Sequence, residues 1–182
     1  MLDLLIKSFY FVLPAYLANM APVIFDKMKI LKFLNKPIDG GQKISAQFIF
    51  GSSKTWRGLA AGAILGLLTA SLQAWLYNSE FFYNISLVNY SDNFILFGLL
   101  GGLGALLGDL IKSFFKRRLG LPSGASWPVF DQLDFVAGFL FFTYFIVRPP
   151  TEIVITVFLI TLVLHPLTNL ISYFLGFKKV WW

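Results

Sequence analysis

The chain has 182 residues and no Cys, with 57% of its residues hydrophobic and 13% charged. Its mean hydropathy is +0.73, whereas a soluble globular domain is roughly 45–50% apolar and about 25% charged. This composition excludes a water-soluble enzyme, a disordered tail and a disulfide-stapled secreted domain. Without Cys there are no thiolate metal sites and no thiol nucleophiles.

A membrane span needs roughly 20 mostly apolar residues to cross about 30 Å of hydrocarbon. Five stretches fit: residues 4–25, 59–77, 94–115, 130–147 and 153–177. The first carries Lys7 near its start, and its n-region, with Asp3 and a single Lys, is a poor match to a signal peptide. An uncleaved helix is expected there. The third ends with Asp109 and Lys112, the fourth begins with Asp131 and Asp134, and the fifth contains His165.

Charge sets the orientation. Thirteen of the fifteen Lys and Arg fall between spans one and two, at the end of span three, or in the tail with Lys178 and Lys179. Only Lys7 and Arg148 fall on the other side. The positive-inside rule then puts the N-terminus outside and the C-terminus in the cytoplasm. The expected fold is an all-α integral membrane protein, a bundle of five transmembrane helices. Residues 1–182 form a single polytopic domain with cytoplasmic loops 26–57 and 116–130. The outer loop 78–93 carries two glycosylation-type triplets, at Asn84 and Asn89. Arg148-Pro149-Pro150 reads as a tight outer turn, because Pro cannot continue a helix.

Gly58, Gly62, Gly66 and Ala70 recur at four-residue spacing in span two. Gly98 with Gly102, and Gly104 with Gly108, repeat the pattern in span three. Small residues let helix backbones approach closely in lipid, so helix packing is the expected role.

Ionisable groups near a bilayer are costly and mark function. Asp109, Asp131 and Asp134 sit where spans three and four meet, joined by the short loop 116–130. Asp131 and Asp134 are at i, i+3, on one helical face. Carboxylates held that close repel unless a cation intervenes, and an all-oxygen donor set suits Mg²⁺ or Mn²⁺. The alternative is neutralisation of each Asp by Lys112, Lys116, Arg117 or Arg118. Asp109, Lys112 and Lys116 share one face of the third helix. Carboxylates, a metal and bases together suit a polyphosphate, although the positive-inside rule alone also asks for bases here.

The segment Gly51-Ser-Ser-Lys54-Thr55-Trp56-Arg57-Gly58 precedes a helix start, where free N–H groups attract anions. It lacks Walker A spacing. His165, Asn169 and Tyr173 form a polar stripe on span five, suited either to interhelical hydrogen bonds or to substrate contact. No catalytic triad, HExxH, GxSxG or dinucleotide fingerprint is present.

Gly108-Asp109, Ser113, Lys116-Arg117 and Asp131-Gln132-Leu133-Asp134 together resemble the C-terminal signature of the CTP:phosphatidate cytidylyltransferase family. The likeness is greatest to its small archaeal branch, the CDP-archaeol synthases. Ala18-Asn19 with Pro22, Pro37-x-Asp39-Gly40, Gly51-x-x-Lys54-Thr55-x-Arg57-Gly58, and His165, Asn169, Tyr173, Gly176 and Lys178 continue the resemblance to the C-terminus. The Lys-Asp and His-Gly-Gly elements of the bacterial signature are missing from 118–130, and the chain ends Val-Trp-Trp where the branch has Pro-Trp.

The resemblance implies a Mg²⁺-dependent (or Mn²⁺-dependent) nucleotidyltransferase of the cell membrane, its active site facing the cytoplasm. It would condense CTP with an isoprenoid ether-lipid phosphate, 2,3-bis-O-geranylgeranylglyceryl phosphate, giving CDP-archaeol and pyrophosphate. Its partners would be CTP, the lipid phosphate and the bilayer, with no nucleic acid. It implies Asp109, Asp131, Asp134 and Lys116 as catalytic residues, the three acids holding the metal. It implies substrate contacts from Asn19, Asp39, Lys54, Thr55, Arg57, Lys112, Ser113, Arg117, His165 and Asn169. A phosphatidate cytidylyltransferase making CDP-diacylglycerol, and a small membrane transporter, are the alternatives. A transporter fits less well, since the charges cluster at one face and no inverted repeat is visible. A CDP-alcohol phosphotransferase would need Asp-Gly-x-x-Ala-Arg, which Asp39-Gly40 does not continue into.

Overall fold

A computed structural model describes residues 1–176. Lys178, Lys179, the Val-Trp-Trp tail and Phe177, the last residue of the fifth predicted span, lie outside the described residues. The described chain is helical: α1 (Leu2–Lys27), α2 (Trp56–Leu76), α3 (Glu80–Ile85), α4 (Tyr90–Arg118), α5 (Phe130–Thr143) and α6 (Thr151–Phe174). Four of them, α1, α2, α4 and α6, are long and apolar enough to cross a membrane. The protein is a multi-pass membrane protein. The fourth predicted stretch, 130–147, is realised as the 14-residue α5 followed by a turn. At 1.5 Å per residue that helix is about 21 Å long. The predicted outer loop 78–93 contains the short helix α3, which periodicity did not announce.

The predicted cytoplasmic loop is compact. A single 3₁₀ turn (Lys32–Leu34) and a hairpin of β1 (Lys43–Ile44) and β2 (Gln47–Phe48) interrupt it. Ile38 N–H donates to the Lys54 carbonyl at 2.9 Å, and Trp56 N–H donates to that of Lys36 at 3.0 Å. The start of the loop thus straps its end. Arg118, at the last turn of α4, donates to the carbonyls of Ile44, Gln47 and Phe48 and fastens the hairpin to the bundle.

α4 lies between α2 and α5, while α1 runs against α2, α4 and α6, and α6 also meets α5. Lipid tails are as apolar as Leu, so nothing squeezes helices together as water would, and close packing must hold them. Glycine provides it. A Cβ on Gly66 would stand 2.6 Å from the Gly98 carbonyl oxygen, and one on Gly98 would stand 2.8 Å from that of Gly66. On the other side of α4, a Cβ on Gly104 would stand 2.8 Å from the Gly138 carbonyl oxygen, and one on Gly108 would collide with the Asp134 carbonyl. The four-residue spacing therefore serves two seams, α2–α4 and α4–α5. The second draws the backbone of Asp134 onto the turn that carries Asp109. Within the core, Phe11, Phe97 and Phe139 form a closed aromatic cluster, with centroids 5.3–5.7 Å apart.

The two seams give a graded prediction. Gly108→Ala drives a methyl into backbone and should lower the stability of the detergent-solubilised protein by about 1–3 kcal/mol. Gly62→Ala meets mainly the Leu106 side chain, which can turn aside, and should cost less. Thermal unfolding of the two variants side by side checks the order; equal losses would mean that α5 yields as easily as a side chain.

Candidate active site

A cavity of about 740 Å³ lies at the end of the bundle where α1, α4 and α6 finish and α5 begins. Its charged wall comes from α4 and α5 with Lys54 of the preceding loop, and its apolar surface from Met20, Val23 and Ile24 of α1, Ile171 of α6 and Leu175 just after it.

On the polar wall, three carboxylates from two helices converge on one nitrogen. Lys112 Nζ lies 3.0 Å from Asp109 Oδ1, 2.8 Å from Asp131 Oδ1 and 2.6 Å from Asp134 Oδ2. Helical spacing places Lys112 beside Asp109, and the glycine seam brings the first turn of α5 alongside. Lys54 reaches in from the strapped loop to pair with the other oxygen of Asp109. Lys116 Nζ lies 3.0 and 3.2 Å from the two oxygens of Asp131. Three ammonium groups therefore face three carboxylates, and the cluster is balanced within itself. The three acids converge, and neutralisation by Lys112 and Lys116, which spacing offered as the alternative to a metal, is the arrangement seen.

The carboxylate set suits a hard divalent cation: its donors are all oxygen, and they share one focal point. Asp134 Oδ2, on a side chain only 6% exposed, is in ion-pair contact with Lys112 but accepts no well-directed hydrogen bond. Among the described residues no group of three His, Asp or Glu side chains forms a ready metal cage. The point the three acids share is taken by the Lys112 ammonium.

The loop between α4 and α5 is held over the cavity by the same residues. Lys116 also donates to the Ala125 carbonyl, and Arg117 donates to that of Pro122 at 3.1 Å. Asp131 accepts from the Trp127 N–H at 2.5 Å. Ser123, Gly124, Ala125 and Ser126 consequently line the cavity. Arg117 is buried, and its Nε has no hydrogen-bond partner.

Of the residues expected at the site, Asn19, Lys54, Asp109, Lys112, Ser113, Lys116, Arg117, Asp131, Asp134, His165 and Asn169 all line this one cavity. Ser113 donates back to the Asp109 carbonyl at 2.8 Å. Asp39, Thr55 and Arg57 stand behind it. Thr55 caps α2, its hydroxyl accepting from the Gly58 N–H at 3.2 Å. Arg57 pairs with Asp26 at the end of α1. Asp39 is buried and accepts from the N–H groups of Gly41 (2.9 Å), Phe50 (2.9 Å) and Gly51 (3.2 Å). Gly51 adopts φ +99°, a conformation that favours glycine. Tyr173, third in the polar stripe, is not among the lining residues. Sequence reasoning missed Ser123, Ser126, Gln132, Thr168 and Ser172, which also face the cavity, as does Ser53 of the Gly51–Gly58 segment. For Thr168 and Ser172 the signal was available, since they are at i+3 and i+7 from His165.

The CarS-like family model, described as CDP-archaeol synthase, matches residues 1–182. A CDP-archaeol synthase of Methanosarcina acetivorans is 41% identical over 93% of this chain and 99% of its own. One from Methanococcus aeolicus is 39% identical over 98% and 97%, and one from Methanocaldococcus jannaschii is 35% identical over 98% and 98%. A solved structure described as an intramembrane enzyme for archaeal membrane lipid biosynthesis superposes with a TM-score of 0.71. It is 28% identical and covers 88% of this chain and 91% of that one. Fold and site thus define a class of helical membrane protein with a charged pocket at one end of the bundle. The chain belongs to the CDP-archaeol synthase family.

Asp39 supplies a pH test. Burial opposes its charge, but the three N–H donors outweigh burial and hold its carboxyl below the usual carboxylate range. A depressed carboxyl stabilises the fold fully above the unfolded value of about 3.9 and loses that contribution as pH falls through the folded value. Hydrogen exchange of segment 40–51 should therefore be protected at pH 7 and lose protection below about pH 3.9. Asp39→Ala should remove that protection already at pH 7. Equal protection in the variant would show that the hairpin holds the loop unaided.

Proposed function

We propose that this protein is a membrane cytidylyltransferase that joins CTP to 2,3-bis-O-geranylgeranylglyceryl phosphate, producing CDP-archaeol and pyrophosphate. The observation that carries the reading is the cavity itself. A balanced set of three acids and three ammonium groups stands on one wall and an apolar surface on the other. Such a site accepts a molecule that is polyanionic at one end and greasy at the other, next to a soluble nucleotide. Family membership supports the same activity.

In this reading an oxygen of the lipid phosphate attacks the α-phosphorus of CTP. A new P–O bond forms, the bond to the bridging α–β oxygen breaks, and pyrophosphate leaves with the electron pair. A phosphate monoester has its second pKa near 6 and is mostly dianionic at neutral pH, so no strong general base is required. The obstacle is charge, since a dianion must approach a triphosphate. Lys54, Lys112, Lys116 and Arg117 surround the polar wall and offset that repulsion while orienting the outer oxygens. Asp109, Asp131 and Asp134 would hold a divalent cation, Mg²⁺ or Mn²⁺, which when bound spreads phosphoryl charge. His165 and Asn169 present hydrogen-bonding groups from α6. Met20, Val23, Ile24, Ile171 and Leu175 shelter the isoprenoid chains. Asp39, Thr55 and Arg57 serve the substrates by holding the loop that aims Lys54.

The same reading makes residues 1–182 one membrane domain with five spans, α5 completing the set with the turn that follows it. Loops 26–57 and 116–130, the active site and the C-terminus face the cytoplasm, and the N-terminus lies outside. The location is the cell membrane, where the lipid stays in the bilayer while CTP arrives from water. The skewed distribution of Lys and Arg supports this.

Membranes carrying the protein should transfer label from α-labelled CTP into the lipid phase when given Mg²⁺ and the ether-lipid phosphate. Asp131→Asn and Asp134→Asn should fold yet lose about 100-fold or more of this turnover. Wild-type rates in either purified variant would refute the assignment. Because the chain lacks Cys, single-Cys substitutions at Lys29 and Asn84 report the topology directly. Only the second should react with an impermeant maleimide in intact cells.

A further inference from the structure

Among the described residues, Lys112 differs from every other cation that lines the cavity. It touches all three acids at once, whereas Lys54 reaches Asp109 alone and Lys116 reaches Asp131 alone. Its side chain is 12% exposed. It therefore stands where a cation held by the same three carboxylates would have to stand. Two positive charges cannot share that point: repulsion between charges about 4 Å apart is large wherever water is scarce.

The balance of the cluster sharpens the conflict. With three ammonium groups already matching three carboxylates, a divalent ion added alone would leave that cluster with two uncompensated positive charges, beside the further charge of Arg117 on the cavity wall. A triphosphate entering with the ion supplies the missing negative charge, and gives the displaced ammonium somewhere to go. Lys112 has the reach for such a move, being a flexible four-carbon stem with a rotatable point charge.

Resting on the proposed cytidylyltransferase reading, we infer that Lys112 is a resident placeholder at the cation site. Its ammonium holds the three carboxylates together in the absence of substrate, and it yields that point to a divalent ion only when a nucleotide triphosphate arrives to receive the lysine. Metal and nucleotide binding are thereby coupled through one side chain. Lys112 acts as a positioning residue for the acids in the resting enzyme and as a phosphate contact in the loaded one.

The test uses Mn²⁺ as the probe, followed by electron paramagnetic resonance on the full chain in detergent, with no lipid acceptor so that nothing turns over. The wild type should bind Mn²⁺ weakly alone and about tenfold or more tightly with CTP present. Lys112→Gln removes the competing charge, so it should bind Mn²⁺ without CTP about tenfold or more tightly than wild type. Its thermal midpoint should also rise on adding Mn²⁺, which wild type alone should not show. Lys112→Arg keeps the charge and should retain the dependence on CTP.

Mn²⁺ binding by Lys112→Gln no tighter than by wild type overturns the placeholder. So does wild-type Mn²⁺ binding that is indifferent to CTP, and this arm decides the matter even if Lys112→Gln fails to fold. Label transfer by the wild type, measured in parallel, separates the two claims. Transfer with uncoupled Mn²⁺ binding leaves the synthase reading standing and removes the placeholder. No transfer removes the synthase reading.

Discussion

The contact on which the site depends is the approach of Gly108 to the carbonyl of Asp134. In hydrocarbon, helices gain nothing from expelling water, so proximity must be earned by shape. At this turn there is no side chain between α4 and α5. Asp109 follows Gly108 directly, and the backbone of Asp134 rests against it, so the two carboxylates are brought together by main-chain packing. The Gly104–Gly138 contact fixes the same seam one turn away. Once the acids are that close, their charges demand a cation, and Lys112, one turn along α4, provides it.

Lys112 accounts for how so acidic a cluster persists near a bilayer. Burying an unpaired carboxylate is prohibitive, and burying a pair is tolerable only with good geometry and further hydrogen bonds. Here each acid has at least one ammonium neighbour, and Asp131 also takes the Trp127 N–H. The network reaches beyond the acids. Lys116 and Arg117 give part of their donors to the carbonyls of Ala125 and Pro122, so residues that line the cavity also suspend the loop above it. Charge and loop position are not separable at this end of the bundle.

Much of this was legible in the chain itself. Apolar run lengths located the long helices, and the short link between Lys116 and Phe130 required Asp109 to neighbour Asp131 and Asp134. Helical spacing placed Asp109, Lys112 and Lys116 on one face. What could not be read were choices among equals. Small residues at four-residue spacing announce close packing but not the partner, and Gly108 could have met α2 as readily as α5. Lys112 could have paired with Asp109 alone. The role of Asp39 depends on three backbone N–H groups, which carry no side-chain signature, and the same holds for the carbonyls that engage Arg118. α3 is too short to show a period. Thr55 and Arg57 read as anion contacts because a cap and an ion pair use the same residue types as a phosphate cradle.

The cavity's charged side chains come from α4, α5 and the loop before α2, whereas α1 and α6 bring its apolar ones beside the uncharged polar groups Asn19, His165, Thr168, Asn169 and Ser172. On the proposed reading, charge handling and tail fit are therefore written largely in separate stretches of the chain. A family built this way can follow a change in hydrocarbon length, branching or saturation by substitutions near residues 20–24 and 171–175 alone. The machinery for phosphoryl transfer stays untouched while the membrane around it is reformulated.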